Sequence, residues 1–158
     1  MSCHATALRP VSRGTVRLAS RDVRDSPLID PAFLSDASDL ETLVRGFKWV
    51  RKIFAQPAFT DYRGGDLSRE LYFSKVQSDE EIRRAIRERC DTIYHPVGTC
   101  RMGSDDRAVV DVQLRVRGID GLRVVDASTM PTLISGNTNA PVIMIAEKAA
   151  DFIKQARH

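Results

Sequence analysis

The segment that most constrains the fold is an apolar stretch near the end of the chain. Pro141 suits the first turn of a helix, because a missing backbone N–H costs nothing there. The residues that follow are apolar on every side of that helix, and they comprise Val142, Ile143, Met144, Ile145 and Ala146. A helix that is apolar all round is buried. We therefore expect the chain to bury the start of a helix that runs from about Ala140 to Gln155.

Capping patterns and helical spacing predict two further helices. Ser38 and Glu41 form the capping-box pattern S-x-x-E, and apolar residues then recur at helical spacing until about Gln56. The same pattern at Ser78 and Glu81 predicts the start of a second helix. The buried face of this second helix is expected to carry Ile82, Ala85, Ile86 and Cys90.

Short strands are predicted around these helices. Alternating or apolar runs favour strands at 3–8, 14–18, 109–110 and 122–126. Prolines and aspartates predict a loop at 25–31, and residues 57–77 are expected to be irregular, with a turn at Gly64 and Gly65. The expected fold is a single α+β domain over residues 1–158, with a small, mostly antiparallel sheet and about three main helices.

Composition excludes several classes of protein. The chain has 158 residues, of which 42% are hydrophobic and 28% charged, which is typical of a globular domain. No apolar run approaches the length of a membrane span, and the first twenty residues contain no apolar core of a signal peptide. The net charge of +3 arises from interspersed charges, so nucleic-acid binding is not expected.

Several catalytic and binding motifs are missing from the sequence. The three cysteines lie far apart, which favours a reducing cytosolic environment, and no His or Cys spacing indicates a metal site. The serines at 128 and 135 lack a G-x-S-x-G elbow, and no G-x-G-x-x-G dinucleotide motif occurs. The stretch from Gly98 to Gly103 lacks the lysine of a phosphate-binding P-loop.

Two segments are candidates for chemistry. The first surrounds His95, which precedes a proline and lies three residues before Gly98. A lone histidine is more often a packing residue, but a rigid loop of this kind is a common place for function. The second is the loop 135–139 at the start of the last helix. It is either an ordinary helix entry or a site where helix N–H groups bind an anion, and the residues alone favour neither interpretation.

Three ordered blocks give the chain a resemblance to a known family. These blocks are S-R-G-T-V-R-L at 12–18, Y-H-P-V-G-T-C-R-M-G at 94–103, and L-R-V-V-D-A-S-T-M-P through G-N-T-N-A-P at 122–141. In order and spacing they resemble the C-terminal region of the glucose–methanol–choline (GMC) flavin oxidoreductases, and the likeness extends from about residue 8 to residue 153. Within that family, the choline-dehydrogenase and alcohol-dehydrogenase branch is the most similar.

The resemblance implies a reaction and its residues. The family uses FAD to oxidise an alcohol, here expected to be a primary alcohol that yields an aldehyde. By resemblance, His95 is the general base while hydride passes to flavin N5. Asn137 would hydrogen-bond the alcohol oxygen. The resemblance also implies flavin contacts, and these are expected at Asp126, Ala127, Thr138 and Asn139.

The resemblance also implies what the reaction would need from outside this sequence. Family members hold FAD in an N-terminal Rossmann-type domain, which this sequence lacks, so the expected partner is a missing N-terminal half or a split subunit. The electron acceptor would be a quinone-type carrier or oxygen. The alternative is an inactive fragment or an interaction module that binds no FAD by itself. The expected location is the cytoplasm, and the alternative is peripheral attachment to the inner membrane.

Overall fold

The computed structural model describes residues 3–62 and 75–156, and the turn predicted at Gly64 and Gly65 lies outside these ranges. The chain divides into two compact units, Met1–Ile93 and Tyr94–His158. Its elements are β1 (Thr15–Arg17), β2 (Leu28–Asp30), α1 (Ala37–Phe54), a 3₁₀ turn (Pro57–Phe59), α2 (Asp79–Arg89), a second 3₁₀ turn (Ala127–Thr129) and α3 (Asn139–Gln155). The α+β prediction with three main helices is confirmed.

Helix α1 begins two residues earlier than the sequence pattern predicted. The cap is Asp36, which has an extended backbone and accepts a hydrogen bond from the Ser38 amide at 2.9 Å. The prediction of Ser38 as the cap is therefore wrong, because the carboxylate of Asp36 already satisfies the first free amide. The helix ends at Phe54, two residues before the predicted end.

Helix α2 forms as its capping box predicted. The Ser78 hydroxyl accepts the amide of Glu81, and the Glu81 carboxylate accepts the amide of Ser78 at 2.9 Å. Ile82 of α2 packs with Leu40 and Val44 of α1, and these three residues form the buried core of the first unit. Ala85 is also buried, whereas Ile86 and Cys90 are only half-buried.

A two-stranded antiparallel ribbon precedes α1. Thr15 pairs with Asp30 and Arg17 with Leu28, so the predicted loop at 25–31 contains a strand, and the predicted strand at 3–8 is not formed. The prolines at 27 and 31 flank β2 and do not interrupt its three paired residues. Gly14 allows the close approach, because a Cβ atom there would overlap the carbonyl of Asp30.

The second unit has its own core, and its described residues form no regular sheet. Its buried core comprises Val110, Leu114, Met130, Ile145 and Ala149. The strands predicted at 109–110 and 122–126 are replaced by isolated bridges, namely Met102 with Val110, Val110 with Val116 and Arg115 with Arg123. Tight turns with positive φ at Leu114, Gly118 and Gly121 keep each paired stretch too short for a ladder.

Helix α3 runs over Asn139–Gln155, one residue longer at its start than predicted. The prediction that its start is buried on every side is wrong. Ile145 is 8% exposed, but Ile143 is 55% and Met144 61% exposed. Only one face of the helix packs on the core, through Val142, Ile145 and Ala149. Within the described residues, no helix has both the length and the apolar character that crossing a membrane requires.

Candidate active site

His95 lies on a segment with unusual backbone geometry. The preceding Tyr94 has a φ of 63°, which a residue with a large side chain rarely adopts. Pro96 follows and restricts the backbone of His95 to extended conformations. Gly98 has a φ of 90°, and a Cβ atom there would lie 3.4 Å from the carbonyl oxygen of Met130. The histidine is thus carried by a constrained turn, as its Pro and Gly neighbours predicted.

Backbone hydrogen bonds fasten this segment to the loop that follows residue 125. The Cys100 amide donates to the Ser128 carbonyl at 3.0 Å, and the Met102 amide donates to the Thr129 carbonyl at 2.8 Å. Val97 and Met102 also pack against the core of the second unit. The segments 94–103 and 126–130, which are distant in sequence, therefore lie side by side.

A side-chain hydrogen bond joins the His95 segment to the loop before α3. His95 Nδ1 lies 3.0 Å from Thr138 Oγ1. Thr138 is buried, with 6% of its surface exposed, whereas the His95 ring is half-buried. The two candidate segments of the sequence, 95–98 and 135–139, thus meet at one place.

At this place the N-terminus of α3 has no side-chain cap. Thr138 is the N-cap residue, yet its side chain makes no capping hydrogen bond, and the first turn contains no acidic residue. Asn139 and Ala140 are exposed. An uncapped helix start offers backbone N–H groups and a partial positive charge. These features fit the electron-rich edge of a flavin ring, so the residues present are compatible with the isoalloxazine end of FAD.

The other predicted site residues occupy different environments. Asp126 caps the second 3₁₀ turn, since its carboxylate accepts the Ser128 amide at 2.7 Å and the Ser128 hydroxyl at 2.5 Å. Ala127 packs against the core of the second unit. Asn137 is exposed and is the neighbour of Thr138 in the chain. The structure therefore joins His95 directly to Thr138, and it connects the Asp126 loop to the His95 segment through the backbone.

No competing centre is formed by the described residues. They contain no cluster of three or more His, Cys, Asp or Glu side chains able to hold a metal. A shallow cavity of about 190 Å³ is lined by residues between Asp111 and Arg123, and none of the predicted site residues lines it. All three cysteines are free thiols, and burial raises the pKa of Cys90, with a smaller effect of the neighbouring Asp91 charge in the same direction.

Comparison with known proteins decides the family. Residues 10–146 match the family model described as GMC oxidoreductase. The chain belongs to the GMC oxidoreductase family. The match includes His95, Thr138 and the uncapped start of α3, and it ends within that helix. The resemblance drawn from the three sequence blocks is thereby confirmed.

Individual GMC relatives agree with this assignment. An alcohol dehydrogenase [acceptor] of Pseudomonas putida is 52% identical over 95% of this chain and 27% of its own length. The mitochondrial choline dehydrogenase of Homo sapiens is 49% identical over 96% of this chain and 25% of its own length. A solved FAD-dependent oxidoreductase from Chaetomium thermophilum is 33% identical, with a TM-score of 0.84, over 95% of this chain and 26% of that chain. The chain thus spans about a quarter of the length of these relatives and corresponds to their C-terminal GMC region.

Two features of the site were not predicted from the sequence. The left-handed backbone at Tyr94 had no signal, because glycine and asparagine are the residues that usually mark such a conformation. The hydrogen bond between His95 and Thr138 joins residues 43 positions apart. Its only sequence signal is that both residues lie in blocks typical of the GMC family.

Proposed function

We propose that this chain is the substrate-binding and catalytic C-terminal portion of an FAD-dependent oxidoreductase that acts on the CH–OH group of a primary, choline-type alcohol and produces an aldehyde. One observation carries the proposal. In a chain of the GMC family, the His95 ring lies against the loop that opens α3, at 3.0 Å from Thr138. This arrangement supports a site in which a base and an anion-binding helix start act on the same substrate.

In this proposal His95 is the general base. It accepts the proton of the alcohol hydroxyl, which helps the carbon to release hydride. FAD, when bound, supplies the hydride acceptor at flavin N5. Asn137 hydrogen-bonds the alcohol oxygen and orients it, and its exposed position beside Thr138 leaves its amide free to reach a ligand.

The flavin contacts are assigned to residues around the same place. The N-terminus of α3 stabilises negative charge at the edge of the ring, because its N–H groups are not capped by a side chain. Asn139 lies in the first turn of that helix and Thr138 at its cap. Asp126 and Ala127 would contribute to holding the flavin from the loop that is hydrogen-bonded to the His95 segment.

The proposed enzyme depends on partners beyond this sequence. A polypeptide equivalent to the other three-quarters of the relatives is expected to hold most of the FAD, because this sequence contains no G-x-G-x-x-G motif. Electrons would then pass to a quinone-type carrier or to oxygen. We place the enzyme in the cytoplasm, with peripheral contact at the inner membrane as the variant to test by fractionation.

A fusion protein tests the proposal. This chain would replace the matching C-terminal region of the Pseudomonas putida alcohol dehydrogenase, to which it is 52% identical. We expect the purified fusion to retain flavin absorbance and to oxidise alcohols, and the isolated chain incubated with FAD to lose the flavin on desalting. A folded fusion that retains flavin but oxidises no alcohol that the parent enzyme accepts would contradict the proposal.

A second function is favoured by the exposed apolar residues. Val16, Leu28 and Ile29 of the ribbon are at least half exposed, and Ile143 and Met144 of α3 are more than half exposed. These surfaces are compatible with an interaction module that has no catalytic role. That alternative predicts stable binding to the separate N-terminal portion of the relative, with no alcohol oxidation by the complex.

A further inference from the structure

The hydroxyl group of Thr138 is diverted from its usual role at a helix start. A threonine at an N-cap ordinarily accepts a hydrogen bond from a backbone amide of the first turn. Thr138 makes no such bond, and its backbone is helical, with φ of −85° and ψ of −8°, where an N-cap residue is usually extended. Thr138 contacts the first turn of α3 through its backbone carbonyl, which accepts a hydrogen bond from the Val142 amide at 3.0 Å.

The same hydroxyl group is used to contact His95. Thr138 Oγ1 lies 3.0 Å from His95 Nδ1, and the threonine is 94% buried. A buried hydroxyl group needs a partner, since leaving it without one costs free energy. His95 is the partner that the structure provides, and the ring in turn gains a fixed contact for one of its two nitrogens.

We propose that Thr138 is a positioning residue that holds His95 in the tautomer required of a base. Of the two neutral forms of the ring, only the one protonated at Nδ1 leaves a lone pair on Nε2. In that form Nδ1–H donates to Thr138 Oγ1, and Nε2 is free to accept the proton of the alcohol. A threonine hydroxyl can donate or accept, and the proposal assigns it the acceptor role in this contact. The contact persists after the transfer, because both ring nitrogens then carry a proton and the bond to Oγ1 becomes charge-assisted.

This role differs from the flavin contact that the family resemblance assigned to Thr138. A flavin contact through the helix start would use backbone N–H groups, which a change of the side chain leaves in place. Positioning of His95 needs the hydroxyl group itself. The inference rests on the proposed role of His95 as the base, but its own test does not depend on activity.

The direct test is the protonation state of the His95 ring in the 158-residue chain. Long-range proton–nitrogen NMR spectra of histidine-labelled protein would identify the protonated ring nitrogen of each of the three histidines. The His95→Gln variant would assign the His95 signals by their loss. We expect neutral His95 in the unmodified chain to be protonated at Nδ1. Protonation at Nε2 would overturn the proposal without any variant of Thr138.

Variants of Thr138 give a second test. Thr138→Val keeps the shape but removes the oxygen, so His95 is expected to lose its single tautomer and to resemble the exposed His4. Thr138→Ser restores the oxygen and should restore the signal. Thr42→Val is the control, because the Thr42 hydroxyl lies on α1 and donates to the Ser38 carbonyl. An unchanged His95 tautomer in folded Thr138→Val would overturn the proposal.

The fusion protein separates this inference from the proposed function. Thr138→Val in the fusion is expected to lower kcat by roughly 3–10-fold, the effect of one hydrogen bond on the barrier, with little change in KM. The substrate contacts assigned to Asn137 are unaffected by this change. Full turnover after loss of His95 would contradict the proposed function, whereas full turnover in Thr138→Val with an intact His95 requirement would contradict only the positioning role.

Discussion

Removal of the Asp39 carboxylate tests how the first unit is held together. Asp39 lies in the first turn of α1 and is 5% exposed. Its two oxygens accept the amides of Val11 and Ser12, both at 2.8 Å, and the Ser12 hydroxyl at 2.5 Å. These three bonds fasten the segment before β1 to the helix across 27 and 28 positions of sequence.

The magnitude follows from these contacts. Hydrogen bonds to a charged acceptor contribute about 1.5–3 kcal/mol each, and a donor left buried without a partner adds a desolvation cost. Val11 is exposed and Ser12 half-buried, so their freed groups regain water, and about 1 kcal/mol for each bond is appropriate here. Asp39→Ala is therefore expected to lower the free energy of unfolding by about 3 kcal/mol. Asp39→Asn keeps one acceptor and should lose about 2 kcal/mol.

The chain carries its own probe for this measurement. Trp49 is the one tryptophan of the sequence and lies on α1, so its fluorescence in urea reports unfolding of the unit that contains Asp39. Asp61→Ala is the control, because Asp61 is exposed and its loss should change stability by less than about 0.5 kcal/mol. Equal midpoints for Asp39→Ala and Asp61→Ala would refute the reasoning.

The pH dependence of the free energy of unfolding provides a second test of the role of Asp39. Burial raises the pKa of Asp39, but the hydrogen bonds from Ser12 and Val11 and the charge of Arg13 outweigh it, so the pKa lies below its ordinary value near 3.8. A lowered folded-state pKa stabilises the fold above the unfolded pKa, and this contribution is lost as the pH falls through the folded pKa. The advantage of the unmodified chain over Asp39→Asn should therefore shrink below about pH 4. A constant difference would contradict this assignment.

Two further predictions concern α3 and α2. Ile145→Ala should lower the stability of the second unit in thermal unfolding by about 2–5 kcal/mol, because Ile145 is buried. Ile143→Ala is the control, and it should change that stability by less than about 0.5 kcal/mol because Ile143 is exposed. Equal losses of stability in the two variants would show that the exposed face of α3 is packed. Amides of Ser78 and Gln77 and the Ser78 hydroxyl lower the pKa of Glu81 to about 2. The stabilisation by this capping box is thus complete above pH 4.5 and lost towards pH 2. The difference in melting temperature between the unmodified chain and Glu81→Ala should therefore narrow as the pH falls over that range. A difference that does not depend on pH would contradict this prediction.

Local signals in the sequence predicted the helices well. The capping box at Ser78 and Glu81 forms as its pattern indicated, because both hydrogen bonds are made within one turn. The start of α1 was misplaced, since Asp36, Ser38 and Asp39 all have oxygens suited to a cap. Asp36 holds the cap, and Asp39 is taken up by the distant segment at Val11.

Longer-range features were predicted less well. Strand β2 was missed because its three paired residues lie between prolines, and pairing with β1 across the intervening loop leaves no local pattern. The apolar start of α3 was expected to be buried, but Ile143 and Met144 are exposed, because the described residues pack against only one face of that helix. The apolar pattern predicted the helix itself correctly.

The candidate site was predicted from the sequence only in part. Residue types and spacing identified His95 and the loop before α3 as separate candidates, and family resemblance assigned their roles. The contact between His95 and Thr138 depends on the packing of the second unit, which places segments 94–103 and 135–139 together. No local pattern encodes that contact, so only the structure suggested a positioning role for Thr138.

The most direct test of the central claim is the turnover of the His95→Ala fusion at saturating alcohol, compared with that of the His4→Ala fusion. His4 is exposed and lies in the other unit, so its replacement controls for loss of a histidine. If His95 is the base, kcat should fall by about 10²–10⁴-fold in His95→Ala, with flavin absorbance retained, and stay unchanged in His4→Ala. Equal turnover in the two variants would show that His95 does not carry the reaction.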